Sequence, residues 1–203
     1  MVCADVWDHS WVCMTPLSSK PSAPFNPYSD AMGFDHDHQV GPRLAAALVN
    51  AGTEEPLGPL LEEHEVRRPA LDAPDVQALR AWAGRLRQVF AARAPQDRCT
   101  AVNTLLADVS GSLYLSMHDD TPPHLHLTPD DHDVVARVRS VTAGGLAFFV
   151  AWAHGERLGL CARERCSRAY VDASRAGRQR YCSARCGNAD AVARHRAGRS
   201  SRP

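Results

Sequence analysis

The sequence predicts a mainly α-helical protein with one small β-hairpin, followed by a compact cysteine-rich segment. Apolar residues recur at helical spacing over residues 75–93, and a further helix is predicted over 96–108. Residues 113–117 and 124–128 alternate like the two strands of a hairpin. Four of the seven cysteines lie between residues 161 and 186. A chain of 203 residues, 44% of them hydrophobic, can bury a core around such helices.

Turn and capping residues predict where the other helices begin and end. A short apolar helix is predicted over residues 43–51, where Gly52 stops it. Asp72 and Asp75 are expected to start the long helix. The segment 128–131, Thr-Pro-Asp-Asp, is expected to start another helix that runs to about residue 154. Its apolar stretch, residues 141–153, is too short to span a bilayer and predicts a buried helix.

Composition divides the chain into four predicted parts. Residues 1–33 are rich in proline and serine, and Met14 and Met32 are alternative start sites, so we expect a disordered leader outside the working protein. A helical domain is predicted over 34–156, a cysteine-rich domain over 157–197, and a basic tail over 198–203. The start of the chain lacks a signal peptide pattern, and the odd number of cysteines argues against a disulfide framework. We therefore expect a cytoplasmic protein without a membrane partner.

The net charge of zero conceals an uneven distribution. Residues 157–203 contain twelve arginines against three acidic residues, a formal excess of nine positive charges. Residues 1–156 carry the balancing negative excess, with 20 acidic and 11 basic residues. This pattern indicates an acidic body with a basic appendage.

The late cysteines have the spacing Cys161-x4-Cys166-x15-Cys182-x3-Cys186, which is typical of a four-thiolate zinc site. Strands are predicted over 168–171 and 179–181, and Ser183 is expected to cap a helix that carries both Cys182 and Cys186 on one face. A loop pair, a hairpin and a helix-borne pair are the layout of a treble-clef-like zinc finger. Four sulfurs close the coordination sphere, so the one expected Zn²⁺ is structural. Idle thiols and a redox switch are the alternatives.

The helix behind Cys186 carries the residues that we expect to contact nucleic acid, most readily DNA. On a helical wheel Ala189 and Ala193 lie on the metal side, whereas Asn188, Val192 and His195 point away from it. Guanidinium groups suit phosphate contacts, and Asn and His side chains can reach base edges. The predicted contacts are Arg178, Arg180, Arg185, Asn188, Arg194, His195 and Arg196. The alternatives are a solvated basic surface and a zinc-stabilised module that binds an acidic protein partner.

The cysteine-rich segment resembles the CGNR-type zinc finger, since Cys186-Gly187-Asn188 match three letters of that name. Ala189 stands where the family has arginine. The helical body, with Leu48-Val49-Asn50 near its start, resembles the ABATE domain that precedes such fingers, and the resemblance covers roughly residues 40–197. It implies a stress-induced transcription regulator whose body senses a signal or forms a homodimer. It also implies the zinc ligands Cys161, Cys166, Cys182 and Cys186, and a turn formed by Asp172, Ser174 and Arg175.

Other polar and aromatic groups are assigned more ordinary roles. Residues 35–38, Asp-His-Asp-His, are expected to be a polar start to the first helix, and Asp130, Asp131, His132 and Asp133 to be helix-start acids. Trp82, Phe90, Phe148 and Phe149 are expected to pack in the core and not to line a pocket. The sequence contains no catalytic motif, so we expect no enzyme. A pocket containing two or more of His118, Asp120, His124 and His126 would revive that alternative.

Overall fold

The computed structural model describes residues 36–66, 69–109, 114–116, 124–126, 133–153 and 155–200. The helices in this part of the chain are α1 (His36–Asn50), α2 (Leu57–Glu63), α3 (Ala73–Ala91), α4 (Pro95–Leu106), α5 (Val134–Trp152) and α6 (Ala184–Ser200). Its strands are β1 (Tyr114–Ser116), β2 (His124–His126), β3 (Leu158–Leu160) and β4 (Ala169–Val171). The predicted fold class, mainly α-helical with a small β-hairpin and a C-terminal cysteine cluster consistent with a zinc finger, is confirmed. The predicted leader lies outside the described residues.

Four long helices enclose the core. α5 packs against α1 and α4, and α3 packs against the same two helices. Trp82, Phe90 and Phe149 are almost completely buried, which confirms that they serve packing, whereas Phe148 is exposed. The indole Nε1 of Trp82 donates to Thr142 Oγ1 at 2.9 Å, so the polar atom of this large side chain is satisfied inside the core.

The long apolar helix α5 belongs to this core. It is long and apolar enough to cross a membrane by length and composition alone, with a mean hydropathy of 1.5 over its most apolar window. More than half of that window, 56%, is buried against the other helices. Core helices meet the same criterion, and α5 has the burial expected of one.

Acidic residues cap the two longest helices, α3 and α5. The cap of α3 lies where the sequence predicts it, whereas the cap of α5 lies further along the chain than predicted. Asp72 and Asp75 form a capping box, since each side chain accepts a hydrogen bond from the other residue's backbone N–H. The predicted start of α5 at residues 128–131 is wrong. The helix begins at Val134, and its cap is Asp133, whose carboxylate accepts from the N–H of Ala136 at 2.9 Å. Residues 128–132 lie outside the described part.

α1 begins earlier than predicted and passes through Pro42. The sequence predicts a start at residue 43, directly after this proline, whereas a proline inside a helix normally kinks or ends it. Gly41 allows α1 to lie directly on α5. A Cβ atom at Gly41 would lie 2.5 Å from the carbonyl oxygen of Val141 and 2.8 Å from Cα of Gly145. The α1–α5 contact therefore requires glycine on both helices.

The first hairpin is confirmed, with Tyr114 opposite His126 and Ser116 opposite His124. The second hairpin differs from the prediction. β4 corresponds to the predicted strand 168–171, but its antiparallel partner is β3, in front of the first cysteine, and not residues 179–181. The segment 179–181 approaches the hairpin through one bond, from the Ala162 N–H to the Arg180 carbonyl at 2.8 Å.

The cysteine-rich end shares the core of the helical body. Leu158 of β3 and Ala169 of β4 belong to the same buried cluster as the helices, with β4 against α1 and β3 against α3. Arg87 of α3 also donates to the Ser167 carbonyl at 2.9 Å. The buried Arg98 of α4 donates to the carbonyls of Val89, Ala92 and Gly155. These bonds connect α4 to the C-terminal ends of α3 and α5.

Candidate metal centre and nucleic-acid interface

The first cysteine pair lies in the turn between β3 and β4. The N–H of Cys161 donates to the Arg168 carbonyl at 2.8 Å, which extends the hairpin ladder to the cysteine itself. The N–H of Cys166 donates to the Arg163 carbonyl at 2.8 Å, which closes a tight turn. The hairpin therefore aims both sulfurs at one point, as a zinc knuckle requires.

The second pair spans the start of α6. Cys186 lies in the first turn of the helix, whereas Cys182 precedes it, so the prediction that both lie on one helical face is wrong. Ser183 is the N-cap, as predicted, because its hydroxyl accepts from the Cys186 N–H at 3.3 Å. A cysteine before the cap and another in the first turn bring two sulfurs together at the helix N-terminus. Knuckle and helix start together give the treble-clef-like arrangement.

The four sulfurs form one cluster with the dimensions of a zinc site. The Sγ atom of Cys182 lies 3.7 Å from that of Cys166 and 3.6 Å from that of Cys186, and all four sulfurs lie within 4.8 Å of one another. Tetrahedral Zn²⁺ with sulfurs at about 2.3 Å places them about 3.8 Å apart. A disulfide needs about 2.05 Å, so these thiols are free. The cluster fits one structural Zn²⁺, as predicted.

The surroundings of the cluster favour the thiolate form of Cys186 over that of Cys182. The hydroxyl of Ser183, then Cys182, lower the pKa of the Cys186 thiol to about 7. Burial, then hydrogen bonding to the neighbouring sulfurs, raises the pKa of Cys182 to about 12. Thiols that share protons in this way release them when a metal binds.

A buried carboxylate organises the loop between the hairpin and the second cysteine pair. Asp172 is fully buried and accepts from the Ser174 N–H at 2.9 Å, the Ser174 hydroxyl at 2.5 Å and the Gln179 N–H at 2.8 Å. Burial alone would raise its pKa, but these hydrogen bonds and the nearby Arg157 guanidinium lower it overall. The charged carboxylate thereby fixes the loop that leads to Cys182.

The second half of α6 projects from the protein. Residues 191–197 are all exposed, so the prediction that Ala193 faces the body is wrong. Seven consecutive helical residues cover every face of a helix, which means that this half is surrounded by solvent. The side chains predicted to contact nucleic acid all have exposed positions: Arg178, Arg180, Arg185, Asn188, Arg194, His195 and Arg196. Their role remains a prediction.

One stripe of α6 contains an arrangement that the sequence analysis missed. Asp190 accepts from the Tyr181 hydroxyl at 2.8 Å and from Arg194 Nε at 2.9 Å, both at Oδ2. The hydrogen bonds from Tyr181, then from Arg194, lower the pKa of Asp190. The i, i+4 spacing of Asp190 and Arg194 is the signal that could have indicated the pair. The position of Tyr181 could not be read from spacing.

The other His and Asp residues singled out in the sequence lie largely outside the described part of the chain. Among the described residues, the Cys161, Cys166, Cys182 and Cys186 cluster is the one group with metal-binding geometry. α1 begins at His36, but the side chains of 35–38 lie outside the described part. His118, Asp120 and residues 130–132 lie outside it as well, as do the side chains of His124 and His126 on β2.

Comparison with known proteins agrees with this geometry. The model of the CGNR zinc finger family matches residues 157–199, which contain β3, β4, the four cysteines and nearly all of α6. No curated protein matches the chain. The matched segment is thus similar to the CGNR family in sequence and has the metal-site geometry of a zinc finger in structure. The chain carries a CGNR zinc-finger domain with a four-cysteine metal site.

Proposed function

We propose that this protein is a cytoplasmic transcription regulator that binds DNA through its zinc finger and is not an enzyme. The observation that carries the proposal is the projecting half of α6, residues 191–197, exposed at every position. A metal centre closed by four sulfurs has no open position for a reacting water, which favours a binding role over a catalytic one.

The projecting helix has dimensions that suit a DNA groove. Seven residues extend about 10 Å along the axis, and the major groove is about 12 Å wide and 8.5 Å deep. A helix packed against the body along its whole length could not enter the groove. α6 is fixed at its N-terminus by Cys186 and extends into solvent beyond it.

The charge of the finger supports the same proposal. The formal excess of nine positive charges in residues 157–203 becomes seven after four thiolates and one Zn²⁺ are counted. Two of the three acidic residues in this segment present no unpaired negative charge at its surface. Asp172 is buried, and Asp190 forms an ion pair with Arg194. The surface that remains suits a polyanion.

The helical body is proposed to sense a signal or to form a homodimer. An open cavity of about 310 Å³ lies between α1, α2 and α3, lined by Leu48, Val49, Ala51, Thr53, Leu57, Leu79, Arg80, Ala83, Gly84 and Arg87. This volume is at the lower end of ligand sites. Val49 adjoins Asn50, which bonds β4, and Arg87 bonds Ser167. A molecule bound there would contact Arg87, which bonds the finger, and Val49, the neighbour of Asn50.

A salt titration tests DNA binding directly. Zinc-loaded full-length protein is mixed with a pool of duplex DNA over a salt series, together with an Arg178→Ala/Arg196→Ala variant. The logarithm of the binding constant should fall linearly with log salt, and removing two phosphate contacts should reduce the slope by about 2. The matched control is Arg43→Ala/Arg93→Ala, which removes the same charge from exposed positions on the helical body. Its slope should equal that of the wild type.

The alternative is a module that binds an acidic protein, favoured by one observation. Val192 lies in the middle of the basic helix with 50% of its surface exposed, which suits a protein contact as well as a groove. Absence of DNA binding at low salt, with one zinc per chain confirmed, would overturn the proposed function in favour of this alternative.

A further inference from the structure

We propose that Arg194 reads a guanine in the major groove, and that Asp190 and Tyr181 are positioning residues that orient its guanidinium. This inference rests on the proposed function and adds a base-reading residue to it. It is carried by the contacts along one stripe of α6.

The hydrogen bond to Asp190 engages only one part of the guanidinium. Arg194 donates through Nε to Asp190 Oδ2 at 2.9 Å. In the planar guanidinium the edge formed by the two Nη groups lies opposite Nε, so this edge points away from the carboxylate. The side chain of Arg194 is 71% exposed, against 21% for Asp190. The guanidinium is therefore oriented by the bond at Nε, and its two Nη groups remain available for a bidentate contact.

The orientation is linked to the metal site through Tyr181. The Tyr181 hydroxyl donates to the same Oδ2 atom at 2.8 Å, and Tyr181 immediately precedes the zinc ligand Cys182. Its ring lies on Gly187, where a Cβ atom would approach Tyr181 Cδ2 to 3.3 Å. Gly187, Asp190 and Arg194 follow one helical stripe. The zinc-bound segment thus holds the tyrosine, the tyrosine holds the carboxylate, and the carboxylate holds the arginine.

An arginine that is held in place by a neighbouring carboxylate is better suited to contact a DNA base than a DNA phosphate. A phosphate carries a full negative charge, so the negative charge of Asp190 nearby would weaken a phosphate contact of Arg194. A guanine edge carries only partial charge and offers O6 and N7 as two acceptors, which match the two Nη donors. Holding the side chain in advance also reduces the entropy lost on binding.

The test is a selection of binding sites from randomised duplexes with zinc-loaded full-length protein. It compares the wild type with Asp190→Ala, Tyr181→Phe and Arg194→Lys. The matched control is Glu164→Ala, which removes one negative charge from an exposed position in the same finger. Zinc content and the unfolding midpoint are measured for every variant, so that a loss of folding is recognised. Arg194→Lys keeps the charge but loses the bidentate edge.

The expected result separates specificity from affinity. The wild type should select guanine at one position, with discrimination of about tenfold or more over the other bases. Asp190→Ala and Arg194→Lys should lose that preference while total DNA binding is retained, and Asp190→Ala should bind random DNA at least as well because it lacks one acid. Tyr181→Phe should weaken the preference, and Glu164→Ala should keep it.

Three other results would overturn the inference. An unchanged guanine preference in Asp190→Ala would remove the positioning role of Asp190. Equal weakening for all sequences in Arg194→Lys would make Arg194 a phosphate contact, and both results would leave the proposed DNA binding intact. No salt-dependent binding by the wild type would overturn both proposals together.

Discussion

The side-chain amide of Asn50, the last residue of α1, makes two hydrogen bonds to the backbone of Ala169 in β4. Nδ2 donates to the Ala169 carbonyl at 2.9 Å, and Oδ1 accepts from the Ala169 N–H at 2.7 Å. In the β3–β4 ladder the Cys161 N–H donates to Arg168, so the polar groups of the next residue, Ala169, face the outer edge of β4. Asn50 pairs with that edge as a neighbouring strand would. The amide therefore joins the helical body to the finger.

Replacing Asn50 with alanine should destabilise the whole chain. The Ala169 N–H and carbonyl would lose both partners in a residue that is 3% exposed, and such a loss costs about 2–3 kcal/mol. Chemical denaturation of the zinc-loaded protein measures the change in the free energy of unfolding. The control is Asn103→Ala at an exposed position of α4, which should cost less than about 0.5 kcal/mol. Equal effects of the two substitutions would contradict the role of Asn50.

The helix contact at Gly41 and Gly145 should not tolerate even one methyl group. In Gly145→Ala the new Cβ atom would lie 2.7 Å from Gly41 Cα and 3.1 Å from Pro42 Cδ, and backbone atoms cannot move aside cheaply. We expect a loss of about 2–3 kcal/mol in the free energy of unfolding, measured by thermal or chemical denaturation.

Gly84 provides the matched control for this helix contact. It lies inside α3 with open space where a methyl group would stand, so Gly84→Ala should stabilise the protein by about 0.5–1 kcal/mol through helix propensity. Gly145→Ala should thus lower the free energy of unfolding, whereas Gly84→Ala should raise it. A stabilising Gly145→Ala would show that α1 and α5 do not approach this closely.

Local patterns in the sequence predicted the parts of the fold that local chemistry determines. The capping box of Asp72 and Asp75, the Ser183 cap and the four-sulfur site depend on residues close together in sequence or on a fixed ligand chemistry. The pairing of β4 with β3 could not be predicted, because three-residue strands carry little periodicity. The contacts made by Asn50 span 119 positions, and no local pattern signals them.

Asp172→Asn should destabilise the finger at neutral pH. An amide accepts the Ser174 and Gln179 hydrogen bonds more weakly than a buried carboxylate does, and we expect a cost of about 2 kcal/mol. Denaturation of the zinc-loaded variant and wild type gives the difference. Exposed Asp97→Asn, in the first turn of α4, is the control and should change stability by less than about 0.5 kcal/mol.

The pH dependence of that difference follows from the lowered pKa of Asp172. A carboxylate whose pKa is lower in the folded than in the unfolded chain stabilises the fold above its unfolded pKa, about 3.9, and loses this contribution as the pH falls towards the folded value. The cost of Asp172→Asn should therefore stay constant from about pH 8 to pH 5.5. A cost that has already vanished at pH 6 would rule out this assignment.

Loss of zinc should weaken the helical body as well as the finger. The metal holds β3, β4 and the start of α6 together, while Leu158 and Ala169 complete the core of the body and Asn50 bonds to β4. Cys182→Ser should bind no zinc, whereas Cys99→Ser, at an exposed thiol of α4, should keep one zinc per chain. Hydrogen exchange then reports on α1, whose last turn is closed by the bond from the Ala51 N–H to the Ala47 carbonyl at 2.9 Å. Protection of that amide should fall about tenfold or more in Cys182→Ser. A finger that folded independently would leave the amide unaffected, so unchanged protection would show that the finger does not stabilise the helical body. One zinc retained by Cys182→Ser would refute the ligand assignment.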